Sequence, residues 1–271
     1  RAVFFISISF SIKINVDKMN IFIIYSEKKM VFYGFQKTTL IDYPGAFASL
    51  VFTGGCNFRC PYCYNPELVN THTIPQYGSK EIIEHLKKQK GKIEALCISG
   101  GEPLLYRERL INFIDEVKSL DIKIKLDTNG SQPQWLKKAN VDYIAMDIKT
   151  SREKYSQVFM QNENVEEMLA KISESIDYIM TYGKDYEFRT TVVPGLITES
   201  DIEDIAKNFI PGAKKYYLNQ FRPQITLDES FGNLQPYSDD TLQKMANICK
   251  NYNIDCHVRA GYSTEGTQHK F

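Results

Sequence analysis

The sequence predicts an α/β fold, a parallel sheet curved into an open, TIM-like partial barrel of six strand–helix units, (βα)6. Three observations predict it. Apolar, β-rich runs alternate with amphipathic stretches about six times between residues 48 and 252, the pattern of parallel strands joined by helical crossovers. Six units fall short of the eight that close a full barrel. Residues with chemistry to offer recur at or just past the C-terminal ends of the expected strands, the edge at which parallel α/β folds bind ligands.

Taken in order, residues 31–39 read as a strand and Ile41-Asp42-Tyr43-Pro44-Gly45 as a turn. Residues 48–53 form a buried strand that Gly54-Gly55 breaks. Ser79 caps a helix through Lys90, with Ile82, Ile83 and Leu86 on one face and Gly91 closing it. A strand at 95–99 runs into Gly100-Gly101-Glu102-Pro103, and a helix at 107–120 carries Leu110, Ile111, Ile114 and Val117 at helical spacing. Strands follow at 122–127, 143–148, 186–193 and 216–221. Between and after them come a short helix near Trp135 and helices at 165–176, 201–209 and 239–252, before a last extended stretch at 256–259.

The flanks read differently. Ile6, Ile8, Phe10, Ile12 and Ile14 alternate with Ser7, Ser9, Ser11 and Lys13 at the strand period. These apolar runs are interrupted too often to span a bilayer, and the marks of a signal peptide are weak. We expect residues 1–29 to be a non-native or disordered extension, 30–260 the working domain and 261–271 a polar tail. A chain begun at Met30 that failed to fold would sink that expectation.

Composition narrows the function. Lys+Arg 33 balance Asp+Glu 33 for a formal net charge of +0, which argues against nucleic-acid binding through phosphates; with apolar runs too interrupted to span a bilayer, no membrane partner is expected either. Six cysteines, three of them in one loop, are not the even framework of a secreted domain, so the compartment is expected to be reducing and cytoplasmic.

The loop is Gly55-Cys56-Asn57-Phe58-Arg59-Cys60-Pro61-Tyr62-Cys63. Three thiols so close cannot all pair as disulfides, and they suit a metal. One reading is a zinc site completed by His72. The other is an iron–sulfur cluster held at three corners, with one iron open. Tyr62, set between two of the thiols, would shield that group. Gly100 and Gly101 offer bare backbone and Glu102 a carboxylate, a combination suited to an ammonium group. Asp127, Thr128 and Asn129 end one strand, and Asp147 and Lys149 end the next; the two aspartates and the threonine suit a hard cation or ribose hydroxyls. Arg189 inside an apolar strand needs an anionic partner. Asn219, Gln220 and Phe221 end the last strand, where an adenine edge could be read. Cys97 reads as core, and Cys249 and Cys256 lack the spacing of a second cluster.

These residues carry a resemblance. The Cys-x-x-x-Cys-x-x-Cys loop, with an aromatic before the third Cys, resembles the radical S-adenosylmethionine superfamily. Gly-Phe-Gln-Lys-Thr-Thr-Leu-Ile-Asp-Tyr-Pro-Gly (34–45), Ser-Gly-Gly-Glu-Pro (99–103), Leu-Asp-Thr-Asn-Gly (126–130), Met-Asp-Ile-Lys (146–149) and Phe-Arg-Thr-Thr-Val-Val-Pro-Gly (188–195) narrow it. Together they resemble the activating proteins of anaerobic ribonucleoside-triphosphate reductase, relatives of the pyruvate formate-lyase activating enzymes. The resemblance implies a 4Fe-4S cluster on Cys56, Cys60 and Cys63, with S-adenosylmethionine chelating the fourth iron. It implies that Gly100, Gly101 and Glu102 hold the methionine amino group, that Asp127, Thr128 and Asp147 hold a monovalent cation, and that Lys149 and Arg189 line the pocket. It further implies reductive cleavage of S-adenosylmethionine and hydrogen abstraction from a glycine of a partner, the large subunit of anaerobic ribonucleotide reductase or a similar glycyl radical enzyme. Flavodoxin or ferredoxin would be the electron donor. Alternatives are a radical enzyme of the pyruvate formate-lyase-activating type, one acting on a small molecule, and a non-enzymatic iron–sulfur or zinc protein. One position departs from the family pattern: Tyr64 stands where a histidine is usual.

Overall fold

A computed structural model describes residues 29–70, 74–160 and 163–260. The expectations for residues 1–28, for 261–271 and for His72 fall outside them.

An open eight-stranded sheet organises the described residues. Its strands are β2 (Gly34–Thr39), β3 (Ala48–Thr53), β5 (Ala95–Gly100), β6 (Lys123–Thr128), β7 (Tyr143–Asp147), β8 (Tyr186–Val192), β9 (Tyr216–Gln220) and β10 (Cys256–Arg259). They lie in the order β10-β9-β8-β7-β6-β5-β3-β2. From β3 to β10 every pairing is parallel, while β2 runs antiparallel to β3. β10 and β2 are the two edges, so the barrel does not close. The six crossovers run through α2 (Ser79–Lys88), α3 (Glu108–Lys118), α4 (Pro133–Leu136), α5 (Val165–Tyr182), α6 (Glu199–Asp204) and α7 (Asp239–Cys249). This is the predicted α/β partial barrel.

The two faces of the sheet differ. One packs the apolar helix faces into a large core containing Ile82, Ile83, Leu86, Leu110, Ile114 and Val117. The other carries a smaller cluster built on Leu50, Phe52, Cys97, Tyr143 and Ala145, with Tyr43 reaching in from the β2–β3 turn to lie 6.0 Å from Tyr143. Burying about 25 cal/mol per Å2 of apolar surface on both faces is what holds such a sheet.

Several ends depart from expectation for local reasons. The strand expected at 31–39 divides, because β1 (Val31–Phe32) pairs antiparallel with β4 (Tyr77–Gly78) and only β2 joins the main sheet. Ser79 is the first helical residue rather than the cap: Gly78 occupies the cap position without a side-chain bond. A short α1 (Pro66–Val69) follows the cysteine loop. The helix expected at 201–209 begins earlier, at Glu199, where Thr198 and Asp201 form a capping box, and it widens into a π-turn at Ile205–Phe209.

Candidate active site

The fully buried β3 delivers the chain to Gly54 at the sheet's C-terminal edge. Gly55 turns it with φ +79, a backbone state that glycine adopts without strain. The cysteine loop then folds on itself. The Arg59 guanidinium donates to the carbonyls of Cys56 (2.7 Å) and Phe58 (2.8 Å). Arg59 N–H donates to Val158 O at 2.7 Å, and Cys63 N–H to Cys60 O at 3.0 Å. Phe58 anchors the loop in the core, its ring 5.0 Å from Phe159.

This places Cys56, Cys60 and Cys63 on one cleft. Cys60 is buried and the other two half-buried. Burial pushes the Cys56 thiol up to about 11, Cys60 up to about 12, and Cys63 upward as well. Left to themselves they stay protonated, so a metal must displace the protons to bind. Among the described residues, no three or more His, Cys, Asp or Glu side chains converge as ligands of a single ion. Three thiols from one loop suit a four-iron cluster held at three corners, with one iron left open. Tyr62 lines the same cleft, 5% exposed, its hydroxyl 3.4 Å from Lys149 O.

Gly100 and Gly101 also line the cleft, but the protein itself requires them to be glycine. A Cβ on Gly100, whose φ is +116, would lie 2.3 Å from Thr53 O, and one on Gly101 would lie 2.0 Å from Gly55 O. Backbone bonds seal this approach: Gly101 N–H donates to Thr53 O and Glu102 N–H to Gly55 O, both at 2.8 Å.

Glu102 is enclosed beside the cleft. Its side chain, 0% exposed, accepts from Leu104 N–H (3.1 Å), Thr128 Oγ1 (2.9 Å) and Asn129 N–H (2.7 Å). Three donors inside the protein take up part of the carboxylate's capacity and hold it in place. Its work here is to tie the β5 loop to the β6 loop. Burial pushes its carboxyl up to about 7 against the pull of those hydrogen bonds.

The β6 and β7 ends contribute charge. Asp127 pairs with Lys125 (2.6 Å) and Arg189 (3.4 Å), and Ser99 Oγ donates to it at 3.1 Å. Asp147 is held between Lys149 (2.8 Å) and Arg189 (2.7 Å). Burial alone would raise both carboxyls; the guanidinium of Arg189 and the neighbouring lysines outweigh it and hold them below the usual carboxylate range. The two acids expected at a monovalent cation are thus already matched by protein cations, and the Thr128 hydroxyl is engaged by Glu102. Arg189 finds its anions within the protein. Lys149 lines the cleft together with Asp127, Asp147 and Arg189; with three donors and one hydrogen-bonded carboxylate it is suited to an anionic group of a ligand.

Gln220 stands apart from this cleft. Its Nε2 donates to Tyr237 O (3.1 Å) and lies 3.5 Å from Asp239 Oδ1, so its amide serves the segment leading into α7. Two residues not singled out from the sequence join the site instead. Asn57 and Ser131 bond each other (3.0 Å), and Asn129 Nδ2 donates to Asn57 Oδ1 (3.1 Å) and lies 3.9 Å from Cys56 Sγ. The clue was an amide inside the cysteine loop facing a Thr-Asn-Gly-Ser turn, legible only once β3 and β6 are placed on the same edge.

Comparison with known proteins shows what the chain is similar to. Residues 50–209 match the model of the Radical SAM superfamily. A glycyl-radical enzyme activating enzyme of Methanocaldococcus jannaschii is 33% identical over 228 residues, 83% of this chain and 93% of that protein. The pyruvate formate-lyase-activating enzyme of Clostridium pasteurianum is 30% identical over 125 residues, 43% of this chain and 51% of that protein. Among solved structures, SuiB of Streptococcus suis bound to S-adenosylmethionine superposes with a TM-score of 0.54 at 16% identity, over 78% of this chain and 51% of that one.

Proposed function

The chain belongs to the radical SAM superfamily, in its glycyl-radical-enzyme activating group, and from that premise we propose that it activates the large subunit of an anaerobic ribonucleotide reductase. It is an enzyme of a class that uses a 4Fe-4S cluster and S-adenosylmethionine. The observation that carries the assignment of residues is the convergence of three thiols, the Gly100-Gly101 backbone and Lys149 on one cleft. In our reading, Cys56, Cys60 and Cys63 hold three irons. The Gly100-Gly101 backbone meets the methionine ammonium, and Lys149 its carboxylate. Arg189, Asp127 and Asp147 form the rigid charged floor that keeps Lys149 in place. Tyr62 and Phe58 exclude water from the buried side of the loop. Held by these residues, a reduced cluster would supply one-electron reducing power to S-adenosylmethionine, chemistry suited to removing a hydrogen atom from a glycine of the partner. Flavodoxin or ferredoxin would deliver that electron, in the cytoplasm. Among the described residues no helix is long and apolar enough to cross a membrane.

The 30% identity to a pyruvate formate-lyase-activating enzyme favours a second reading, in which a formate lyase is the partner. Anaerobic reconstitution followed by incubation with either enzyme separates the two. A glycyl radical signal on the reductase alone is expected, and a signal on the lyase alone would overturn the choice of partner. Cys60→Ala is expected to lose the cluster's charge-transfer absorption together with 5′-deoxyadenosine formation. An intact cluster spectrum in that variant would refute the ligand set.

A further inference from the structure

Tyr64 follows the third cysteine directly, yet the functional reading gives it no part. Tyr64 lines the cleft beside the thiols, and its contacts join it to the 18 residues from Phe221 to Ser238 that connect β9 to α7. The Tyr64 ring stacks on Phe221, centroids 6.1 Å apart at 24°. Phe221 is 1% exposed and fixed in the core. The Tyr64 hydroxyl accepts from Arg222 N–H at 2.9 Å. Five residues on, the same segment returns to the cysteine loop: Leu227 N–H donates to Cys63 O at 3.1 Å, and Asp228 N–H to Pro61 O at 2.9 Å. The segment has its own rigidity between those points. The Thr226 hydroxyl donates to Asp228 O (2.7 Å), and the Asp228 carboxylate caps the turn at Glu229–Asn233 through Ser230 N–H (2.9 Å) and Ser230 Oγ (2.7 Å).

We propose that residues 221–238 form a strap fastened across the cysteine loop, and that Tyr64 is the positioning residue that seats it. The proposal rests on the reading of this loop as the cluster loop. The strap takes up the carbonyls of Pro61 and Cys63, on either side of Tyr62, and so fixes the backbone that carries two of the three thiols. Tyr64 acts in two ways that can be separated. The ring sets the strap against Phe221, and the hydroxyl pins Arg222, whose side chain is exposed. The hydroxyl bond is a single contact whose freed donor can turn to water, so losing it costs less than losing the ring.

The test uses the full chain in two states. In the metal-free protein, hydrogen exchange read by peptide mass spectrometry follows residues 222–234, with residues 186–192 of β8 as an internal control of folding. Tyr64→Ala is expected to speed exchange in the strap at least about tenfold, an opening change of some 1.4 kcal/mol, and to leave the control unchanged. Tyr64→Phe is expected to speed it only a few-fold. In anaerobically reconstituted protein, chelator-driven loss of the cluster is expected to follow the same ranking, with Tyr64→Phe restoring most of the resistance lost in Tyr64→Ala. Unchanged strap exchange in Tyr64→Ala overturns the proposal. Should Tyr64→Ala fail to fold, Tyr64→Phe decides: wild-type exchange across 222–228 would overturn it. If exchange responds but no cluster assembles in the wild type, it is the functional reading that fails, and the strap stands.

Discussion

Glu102 sits where a single side chain sets two properties at once. Its carboxylate is enclosed, and three donors hold it against the β6 loop. Burial nevertheless pushes its carboxyl from the model-peptide range up to about 7. A carboxyl that binds its proton more tightly when folded makes folding easier at low pH. Its contribution is fully present below about 4.5, the unfolded value, and is lost as pH rises towards 7. Asp147 and Asp127 work in the opposite sense. Their carboxyls are held down by Arg189 and the adjacent lysines, so their contribution is present above the ordinary carboxylate value and lost as pH falls below it. Stability is therefore expected to peak in mildly acidic solution. Glu102→Gln should flatten the limb between pH 5 and 7.5 and leave the acid limb in place, read as urea midpoints across that range. The missing limb is worth about 3 kcal/mol at most, and less to the extent that the three donors favour the charged form. An unchanged upper limb would place the titrating group elsewhere.

At the scale of elements, the site depends on backbone meeting backbone. β3 and β5 pair in register from Ala48 with Ala95 to Thr53 with Gly100, and the chain continues with Gly101 against Gly55. A Cβ at position 101 would meet the Gly55 carbonyl at 2.0 Å, and the atom it meets is main chain, which cannot rotate aside. Gly101→Ala is thus expected to push the cysteine loop away from β5 and cost roughly 2–3 kcal/mol. Cluster yield on reconstitution should fall, while far-ultraviolet circular dichroism stays that of the wild type; wild-type yield and stability would show that the loop yields without cost. This element was half legible in the sequence. The three cysteines, the glycine pair and the run of buried strands announce themselves, because a strand covered on both faces is apolar along its whole length. The side on which a carboxylate spends its hydrogen bonds does not show in sequence, so the bracing of the β6 loop by Glu102 is not legible there. The pairing of β1 with β4 was hidden as well, since each is two residues long and some 45 residues separate them. The partner of Gln220 is hidden in the same way: its position at a strand end is legible, but Tyr237, on an irregular segment 17 residues later, is not.

Across the whole molecule, the open sheet is held by a belt of charge as well as by its two apolar layers. Lys125 and Asp127 on β6, Asp147 on β7, Arg189 and Glu187 on β8 and Arg259 on β10 form one chain of ion pairs. Arg259 closes it. From the edge strand its guanidinium crosses the Tyr217 ring of β9 at 3.5 Å and grips the Glu187 carboxylate through two bonds, 3.0 and 2.7 Å. The Tyr143 hydroxyl donates to the same carboxylate at 2.9 Å. Because β10 has no neighbour on its outer side among the described residues, this grip ties the edge to a strand two places inward. Glu187 is 2% exposed, and burial alone would raise its carboxyl, but Arg259 and Arg189 hold it low. Removing Arg259 leaves a buried carboxylate short of its main partner. A fully buried pair broken in this way costs roughly 3–5 kcal/mol, and since Arg259 is 42% exposed we expect Arg259→Ala to cost about 2 kcal/mol near neutral pH. The sign with pH follows. The pair's contribution is present above the ordinary glutamate value and disappears as pH falls through the lowered one, so wild type and variant should converge in acid. Urea midpoints at pH 7 and pH 3 read this directly, and Arg259→Lys, which keeps the charge but not the two-pronged grip, should fall between them. A gap of equal size at both pH values would mean that Arg259 steadies the edge by its packing on Tyr217 and not through Glu187.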